Sequence, residues 1–204
     1  MFLKTTILTF GEDGFLFIMK FERAYSDESI RQILNLQKRN LKKHLSDAEK
    51  ESQGFVTAEH TFEQLKNIND AEPSVVITDN GIVVAYAIAM LESAAKDMPV
   101  FDELFSTVAS LTYKNLPMTS YKYIFVGQLC IDKNYRGQGL VEKLYAFYKE
   151  ELKPKYDFAV TDISEHNPRS LKAHQKSGFE IIHSFFDTFT ASNWNIVVMD
   201  FADQ

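Results

Sequence analysis

The chain is poor in cysteine and glycine, has no block of one charge, and has no long apolar run. Cys130 is the single cysteine in 204 residues, so an internal disulfide is excluded, and nothing stands beside it at metal-ligand spacing. A reducing, cytoplasmic setting is the expectation that follows. The longest apolar run, Ile82 to Leu91, is far short of the ~20 residues that cross a bilayer as a helix. Met1 to Met19 is apolar in places, but Gly11-Glu12-Asp13-Gly14 interrupts it and Lys4 is its one early cation. With no small-residue cleavage site either, this stretch argues against a signal peptide. Acidic residues number 28 against 22 Lys/Arg, a net charge of −6, and with no Lys/Arg block neither nucleic acid nor a membrane surface is an expected partner. No repeat, low-complexity tract or Pro/Gly/Ser-rich linker divides the chain. Glycine contributes eight residues, about 4% against a typical ~7%, which makes the positions of those eight informative.

What is present is the composition of an ordinary globular protein: 45% apolar, 13% aromatic and 25% charged, which excludes disorder, collagen and coiled coil as the main state. At roughly 150 residues per domain the length gives one domain with an elaboration, enough to bury a core without staples. Phe15 to Ala24 reads as a strand. Ser26-Asp27-Glu28 then caps a helix carrying Ile30, Ile33, Leu34, Leu41 and Leu45. Thr61 with Gln64 three residues on reads as a capping box. Ser74 to Thr78 and Ile82 to Leu91 flank Asp79-Asn80-Gly81 as a hairpin. Within 92–120, Phe101, Leu104, Phe105, Val108 and Leu111 keep helical spacing after Pro99. Tyr121 to Ile131 reads as a strand, Gly137 to Lys153 as a helix stopped by Pro154, Tyr156 to Ile163 as a strand and Pro168 to Ser177 as a helix. Phe179 to Phe186 and Asn195 to Phe201 are two last strands. Helices alternate with strands but hairpins occur too, so the sheet is expected to be mixed.

Two segments carry chemistry. In the first, Leu129-Cys130-Ile131 closes a buried strand, a short polar loop follows, and Arg136-Gly137-Gln138-Gly139-Leu140-Val141 leads into an amphipathic helix. Glycine in a first turn costs helix stability; bare backbone amides that must approach a phosphate closely are the usual reason to tolerate it. Arg136 adds a fork-shaped cation. A dinucleotide fingerprint would need glycine where Glu142 stands, and a Gly-Lys-Ser/Thr phosphate loop is absent. In the second segment Asn167 is a strong N-cap, Pro168 suits the first helical position and Gly178 the left-handed position after the helix. Asn167, Ser170 and His174 fall on one polar stripe, and Arg169, Lys172 and Lys176 give a local positive excess suited to an anion. Gly127 inside an apolar strand points to a bulge.

Together these segments resemble the GNAT superfamily of N-acetyltransferases. The likeness in element order runs over roughly 19–201, and its specific part is Tyr121 to Phe186. Members carry Arg/Gln-x-x-Gly-x-Gly/Ala, where this chain has Arg136-Gly137-Gln138-Gly139-Leu140-Val141, and Asn-x-x-Ala-x-x-x-Tyr-x-x-x-Gly-Phe, where Asn167, Ser170, His174, Gly178 and Phe179 occupy those positions. The resemblance implies a mixed, mostly antiparallel sheet of six to seven strands flanked by helices, with a helical insertion at about 92–120. It also implies a division into an extension over 1–18 and a single domain over 19–204. It further implies acetyl-CoA as co-substrate and no metal. Backbone groups of Leu129, Cys130 and Ile131 would pair with the pantetheine and polarise the thioester carbonyl. Amides of Gly137, Gln138, Gly139, Leu140 and Val141, with Arg136, would hold the pyrophosphate, and Asn167 and Ser170 would meet the pantetheine arm.

Three positions depart from the pattern. Val141 stands for glycine or alanine and predicts an adjusted loop with weaker cofactor binding. His174 stands where many relatives have the tyrosine that protonates the leaving thiolate, a proton histidine can supply near neutral pH. Gln128 occupies the neighbourhood of the usual glutamate; it is not a base but can hold a water, with Asp162 and Glu165 as substitutes by position. The expected activity is acetyl transfer to a primary amine of a small molecule or peptide by direct attack in a ternary complex. A non-catalytic acyl-CoA sensor and transfer of a longer acyl group are the alternatives. A homodimer is compatible with the sequence. Cys130 reads as a small apolar strand residue, and His44, His60, His166 and His183 read as surface or capping residues.

Overall fold

Strands that are apolar along their whole length are covered by helices on both faces. In the computed structural model, which describes residues 5–10, 16–46 and 55–202 with side chains from Met19 onward, the sheet has this character at its centre. The strands are β1 (Thr5–Phe10), β2 (Leu16–Arg23), β3 (Val75–Asp79), β4 (Ile82–Met90), β5 (Thr112–Tyr113), β6 (Leu116–Pro117), β7 (Tyr123–Ile131), β8 (Phe158–Ser164), β9 (Glu180–Asp187) and β10 (Ser192–Asp200). Every position of β3 is buried, and every position of β4 except Ile82. Between them Asn80 (φ 48°) and Gly81 (φ 81°) supply the two left-handed residues of a tight hairpin turn.

The main sheet runs β1-β2-β3-β4-β7-β8-β10-β9. Its neighbours are antiparallel except β7 and β8, which are parallel. This is the mixed, mostly antiparallel sheet expected, with seven strands from β2 onward. β1 is an eighth, paired with β2 from Thr5↔Phe21 to Phe10↔Leu16. The insertion holds a helix as expected, together with the two-residue ribbon β5–β6, too short for any alternation to announce it.

Helices α1 (Asp27–Asn40), α2 (Phe62–Ala71) and α3 (Asp102–Ser110) contribute Ile30, Ile33, Leu36, Leu65, Ile68, Leu104 and Val108 to one buried layer. On the other face of the sheet, α4 (Leu140–Leu152) lays Leu140, Leu144, Tyr145, Tyr148 and Leu152 on Val75, Ile77, Ala85 and Ala87, and α5 (Pro168–Lys176) packs beside it. The caps read from the sequence are formed: Ser26 accepts from the Ser29 amide, Thr61 and Gln64 form a reciprocal box, and Asn167 accepts from the Ser170 amide. Two boundaries need correction: α1 ends at Asn40, so Leu41 and Leu45 lie beyond it, and the start of α4 moves. The helix expected from Gly137 starts at Leu140, so both glycines precede it, with Gly139 as the N-cap.

The feature that positions a site is the seam between β7 and β8. These strands pair only from Tyr123↔Phe158 to Phe125↔Val160. Thr161 Oγ1 then donates to the Val126 carbonyl at 2.8 Å, and beyond that contact the strands part. On the other edge of β7 the ladder steps from Ile88↔Gln128 to Ala89↔Val126, leaving Gly127 as a bulge. A Cβ at Gly127 would lie 3.1 Å from Met90 Sδ and 3.4 Å from Ile88 Cγ2, tighter than ordinary packing.

Candidate active site

Two contiguous cavities open where β7 and β8 part. The larger, about 400 Å³, is lined by Leu129, Cys130 and Ile131 at the end of β7, by Arg136, Gly137, Gly139, Leu140 and Val141, and by Asn167 and Ser170. Gly137 sits at φ 78° and Gly139 at φ 67°, and a Cβ at either would meet nothing within 4 Å. Backbone conformation therefore selects glycine here, and the space beside it is open to a ligand. The loop presents amides at the N-terminus of α4, where the helix carries partial positive charge. The Arg136 Nε donates to the Ile131 carbonyl at 3.1 Å, and its terminal nitrogen donates to Asn40 Oδ1 at 2.5 Å. Arg169, Lys172 and Lys176 stand on the same wall, and among the described lining residues Glu142 is the one acid. Open amides, a helix N-terminus and four cations suit an anion of the phosphate type. Asn167 does more than cap α5. Its Nδ2 donates to the Phe55 carbonyl at 3.0 Å, strapping the segment 55–58, whose Phe55 and Val56 line the cleft, to the start of α5.

The smaller cavity, about 90 Å³, shares Phe55, Val56, Leu129, Asn167 and Ser170 with the larger one. Its other walls are Thr57 and Ala58, Val100 and Phe101 of the insertion, Gly127 and Gln128 of β7, Asp162 and Ser164 of β8, His174 of α5, and Asp187, Thr190 and Trp194 at the β9–β10 turn. Gln128 is buried and tightly held: Oε1 accepts from Tyr86 Oη at 2.5 Å and Gln37 Nε2 at 2.8 Å, while Nε2 donates to the Ala58 carbonyl at 2.7 Å. Gln37 also bonds His60 Nδ1 at 2.7 Å. His60 Nε2 is buried with no partner among the described residues, and burial pulls the ring down to about 4. His174 is 3% exposed. Its Nδ1 lies 2.8 Å from the Ser170 carbonyl, so that nitrogen carries the proton, and Nε2 accepts from Tyr145 Oη at 2.7 Å. Burial pulls this ring to about 4 as well. Asp162 goes the other way, pushed up to about 7 chiefly by burial with Asp187 adding to it.

The model of the GNAT acetyltransferase family matches residues 29–179, more than half of the chain. The chain belongs to the GNAT acetyltransferase family. This acetyltransferase shares its fold with the ribosomal-protein-S18-alanine N-acetyltransferase from Escherichia coli (13% identity, TM-score 0.59, covering 92% of this chain and 96% of that one). It shares it also with Ard1 from Thermoplasma volcanium (12%, 0.61, 91% and 99%). A third is yncA from Salmonella typhimurium, solved with its cofactor acetyl-CoA (14%, 0.58, 91% and 95%). At these identities the likeness speaks for the fold alone. No curated protein matches the sequence significantly. Family membership makes the protein an acetyl-CoA-dependent acyltransferase.

The fold of this acetyltransferase brings most of the residues singled out in the sequence to one seam. Leu129, Cys130, Ile131, Arg136, Gly137, Gly139, Leu140, Val141, Asn167 and Ser170 line the larger cavity, and Gln128 and His174 line the smaller one. Gln138 is the exception: its side chain is exposed and lines neither. The Cys130 thiol is pushed up to about 12 by burial, in keeping with an apolar strand residue. His60 is corrected from surface to interior, because Gln37, 23 residues away, closes over it. Glu165 is exposed and bonds Asn193, so of the two substitute carboxylates only Asp162 faces the cavity. The 55–58 strap, Tyr145 and the Asp187–Thr190–Trp194 turn had no local signal, since each acts through partners distant in sequence. Among the described residues no helix is long and apolar enough to cross a membrane.

Proposed function

We propose that the protein moves an acetyl group from acetyl-CoA to a primary amine of a small molecule or peptide by direct attack in a ternary complex. The observation that carries this reading is the parted β7–β8 seam, where a cavity lined by four cations adjoins a second cavity lined in part by Val100 and Phe101 of the insertion. The residues present fit acetyl-CoA: two positive-φ glycines leave open space at a helix N-terminus, and Arg136, Arg169, Lys172 and Lys176 share the wall. When bound, acetyl-CoA supplies an activated thioester. On this reading the amides of 137–141, Gln138 contributing by its backbone, and the Arg136 guanidinium hold the pyrophosphate. Asn167 and Ser170 meet the pantetheine arm. The end of β7 from Leu129 to Ile131, with no strand partner on its β8 side, offers backbone donors to the acyl carbonyl.

The geometry favours a different role for His174 than donor to the leaving thiolate. The ring is neutral, its proton is committed to the Ser170 carbonyl and its lone pair to Tyr145. We therefore read it as a positioning residue that holds α5, with Asn167 and Ser170, against the seam. Gln128 is likewise held on both ends of its amide and shapes the wall. The single, buried Cys130 supports a cytoplasmic setting. The experiment is release of free CoA thiol from acetyl-CoA with a panel of amines and peptides, run beside calorimetric binding of CoA. Turnover with any amine is the expected result. Tight CoA binding with no thiol release across the panel overturns transfer and leaves a sensor.

A further inference from the structure

The smaller cavity has a lining that the acetyl-transfer reading does not use: apolar and aromatic side chains of Val100, Phe101 and Trp194 together with the carboxylates of Asp162 and Asp187. Asp187 Oδ2 accepts from the Thr190 amide at 2.7 Å and from the Thr190 hydroxyl, and Trp194 Nε1 donates to that hydroxyl at 2.8 Å. The turn that carries Asp187 is thereby fixed, and Thr188 is tied to Glu103 of α3, joining the turn to the insertion. Asp162 is different. Apart from its own backbone amide, its carboxylate has no hydrogen-bond partner among the described residues, although it sits recessed in the cavity wall on β8. Two acids in a small, partly apolar cavity with no Lys or Arg among its described lining residues leave a deficit that an incoming cation would fill.

We propose that this cavity takes the ammonium of a primary alkylamine without a neighbouring carboxylate, its carbon chain against Phe101 and Trp194, and that Asp162 accepts the proton that frees the amine to attack. The proposal rests on the acetyl-transfer reading above and names its acceptor class and its base. The ammonium enters between the two carboxylates and gives one proton to Asp162. The free nitrogen pair bonds to the acyl carbon while the carbon–sulfur bond breaks, sulfur keeping that electron pair as thiolate. The second nitrogen proton then passes to the thiolate, and Asp162 returns its own proton to water, so that one ammonium and one thioester give one amide, one thiol and one proton. The titratable groups facing Asp162 in the cavity are Asp187 and His174. Burial, with Asp187 adding to it, pushes the Asp162 carboxyl up to about 7, a value matched to proton transfer near neutral pH, while His174 is neutral.

The test compares pentylamine with norleucine, the same skeleton carrying an α-carboxylate, and with norleucine amide, which removes that charge. Pentylamine and the amide are expected to be acetylated with kcat/KM at least about tenfold above norleucine, with a rising limb near pH 7. Asp162→Asn is expected to lower kcat by about 100-fold, in the range of a lost general base, and to abolish that limb, with Asp162→Glu restoring part of the rate. Asp187→Asn should narrow the gap between pentylamine and norleucine. Independently of turnover, calorimetric binding of pentylamine to the CoA-bound protein is expected to weaken about tenfold in Asp162→Asn and Asp187→Asn, while CoA affinity stays at the wild-type value in both and the melting temperature does so in Asp162→Asn. Glu165→Gln should change nothing. The proposal is overturned if Asp162→Asn keeps kcat within twofold with an unchanged pH profile, or if norleucine is used as well as pentylamine. Failure to bind CoA at all would instead remove the reading beneath it.

Discussion

His60 and His174 are each held below their ordinary value of 6.5, at about 4, chiefly by burial, and such a shift ties folding to pH. Between pH 6.5 and 4 the unfolded chain binds a proton at each site that the folded chain refuses. Stability therefore rises with pH across that window: the contribution is fully present above 6.5 and is lost as pH falls through about 4. At ~1.4 kcal/mol per pH unit each histidine accounts for at most on the order of 3 kcal/mol. His174→Gln is expected to flatten the fall of the urea midpoint between pH 6.5 and 4, and to cost about 1–2 kcal/mol at pH 7.5 through the lost Tyr145 and Ser170 bonds. It should keep kcat within about threefold, because a positioning residue gives up less than the ~100-fold or more of a proton donor. Urea titrations at several pH values and steady-state rates check this, and an unchanged slope would refute the burial argument. The helix stripe placed His174 correctly in the sequence, yet its role was illegible there. Tyr145 lies 29 residues upstream, and only folding brings its hydroxyl to 2.7 Å from Nε2. Distance in sequence also hid His60, which precedes α2 and whose partner Gln37 lies on α1.

At the scale of elements, the strands, caps and hairpin were legible because each is fixed by neighbours in the chain: Ser26 with Ser29, Thr61 with Gln64, Asn80 with Gly81. The start of α4 was misplaced because amphipathic spacing extends backwards through Gly137, whereas the positive φ of Gly139 sets the boundary. That boundary defines what Val141 does. It occupies the second position of the helix, lines the larger cavity and packs partly against the core layer beneath α4. A branched side chain at this point keeps a phosphate farther from the loop amides than glycine would. Val141→Gly is expected to tighten acetyl-CoA binding by about threefold in calorimetry. The same change should lower stability by about 1–2 kcal/mol, from glycine in a helix and lost apolar contact. Unchanged or weaker affinity would show that the loop has already adjusted around the valine.

Taken as a whole molecule, the sheet is closed at one end and open at the other. The parallel β7–β8 pairing is confined to the end where β8 begins, and the halves of the sheet part toward the cavities. The bulge at Gly127 gave a sequence hint of that opening, but nothing local announced what braces the closed end. There Glu72, before β3, accepts from Arg23 at the end of β2 (2.5 Å), and from Lys155 (3.0 Å) and Tyr156 (2.9 Å) just before β8. The group thus spans both halves beneath the seam. Glu72 and Arg23 are 2% and 9% exposed, so their bond is a buried ion pair, whereas Lys155 is exposed and contributes little. Burial alone would raise the Glu72 carboxyl, but the bonds from Arg23, Lys155 and Tyr156 outweigh it and hold it below 4.5. Its contribution is therefore present above the ordinary carboxylate value and lost as pH falls through the lower folded one. Glu72→Gln would leave the buried Arg23 charge with only the more distant Glu151 carboxylate, 3.8 Å away, and is expected to cost about 3 kcal/mol at pH 7. The difference from wild type should shrink at pH 3.5, below the ordinary value of 4.5, because the unfolded carboxyl there takes up a proton that the folded one resists. Urea denaturation of the two proteins at both pH values measures this. A constant difference would mean that Glu72 braces the closed end by shape and not by charge.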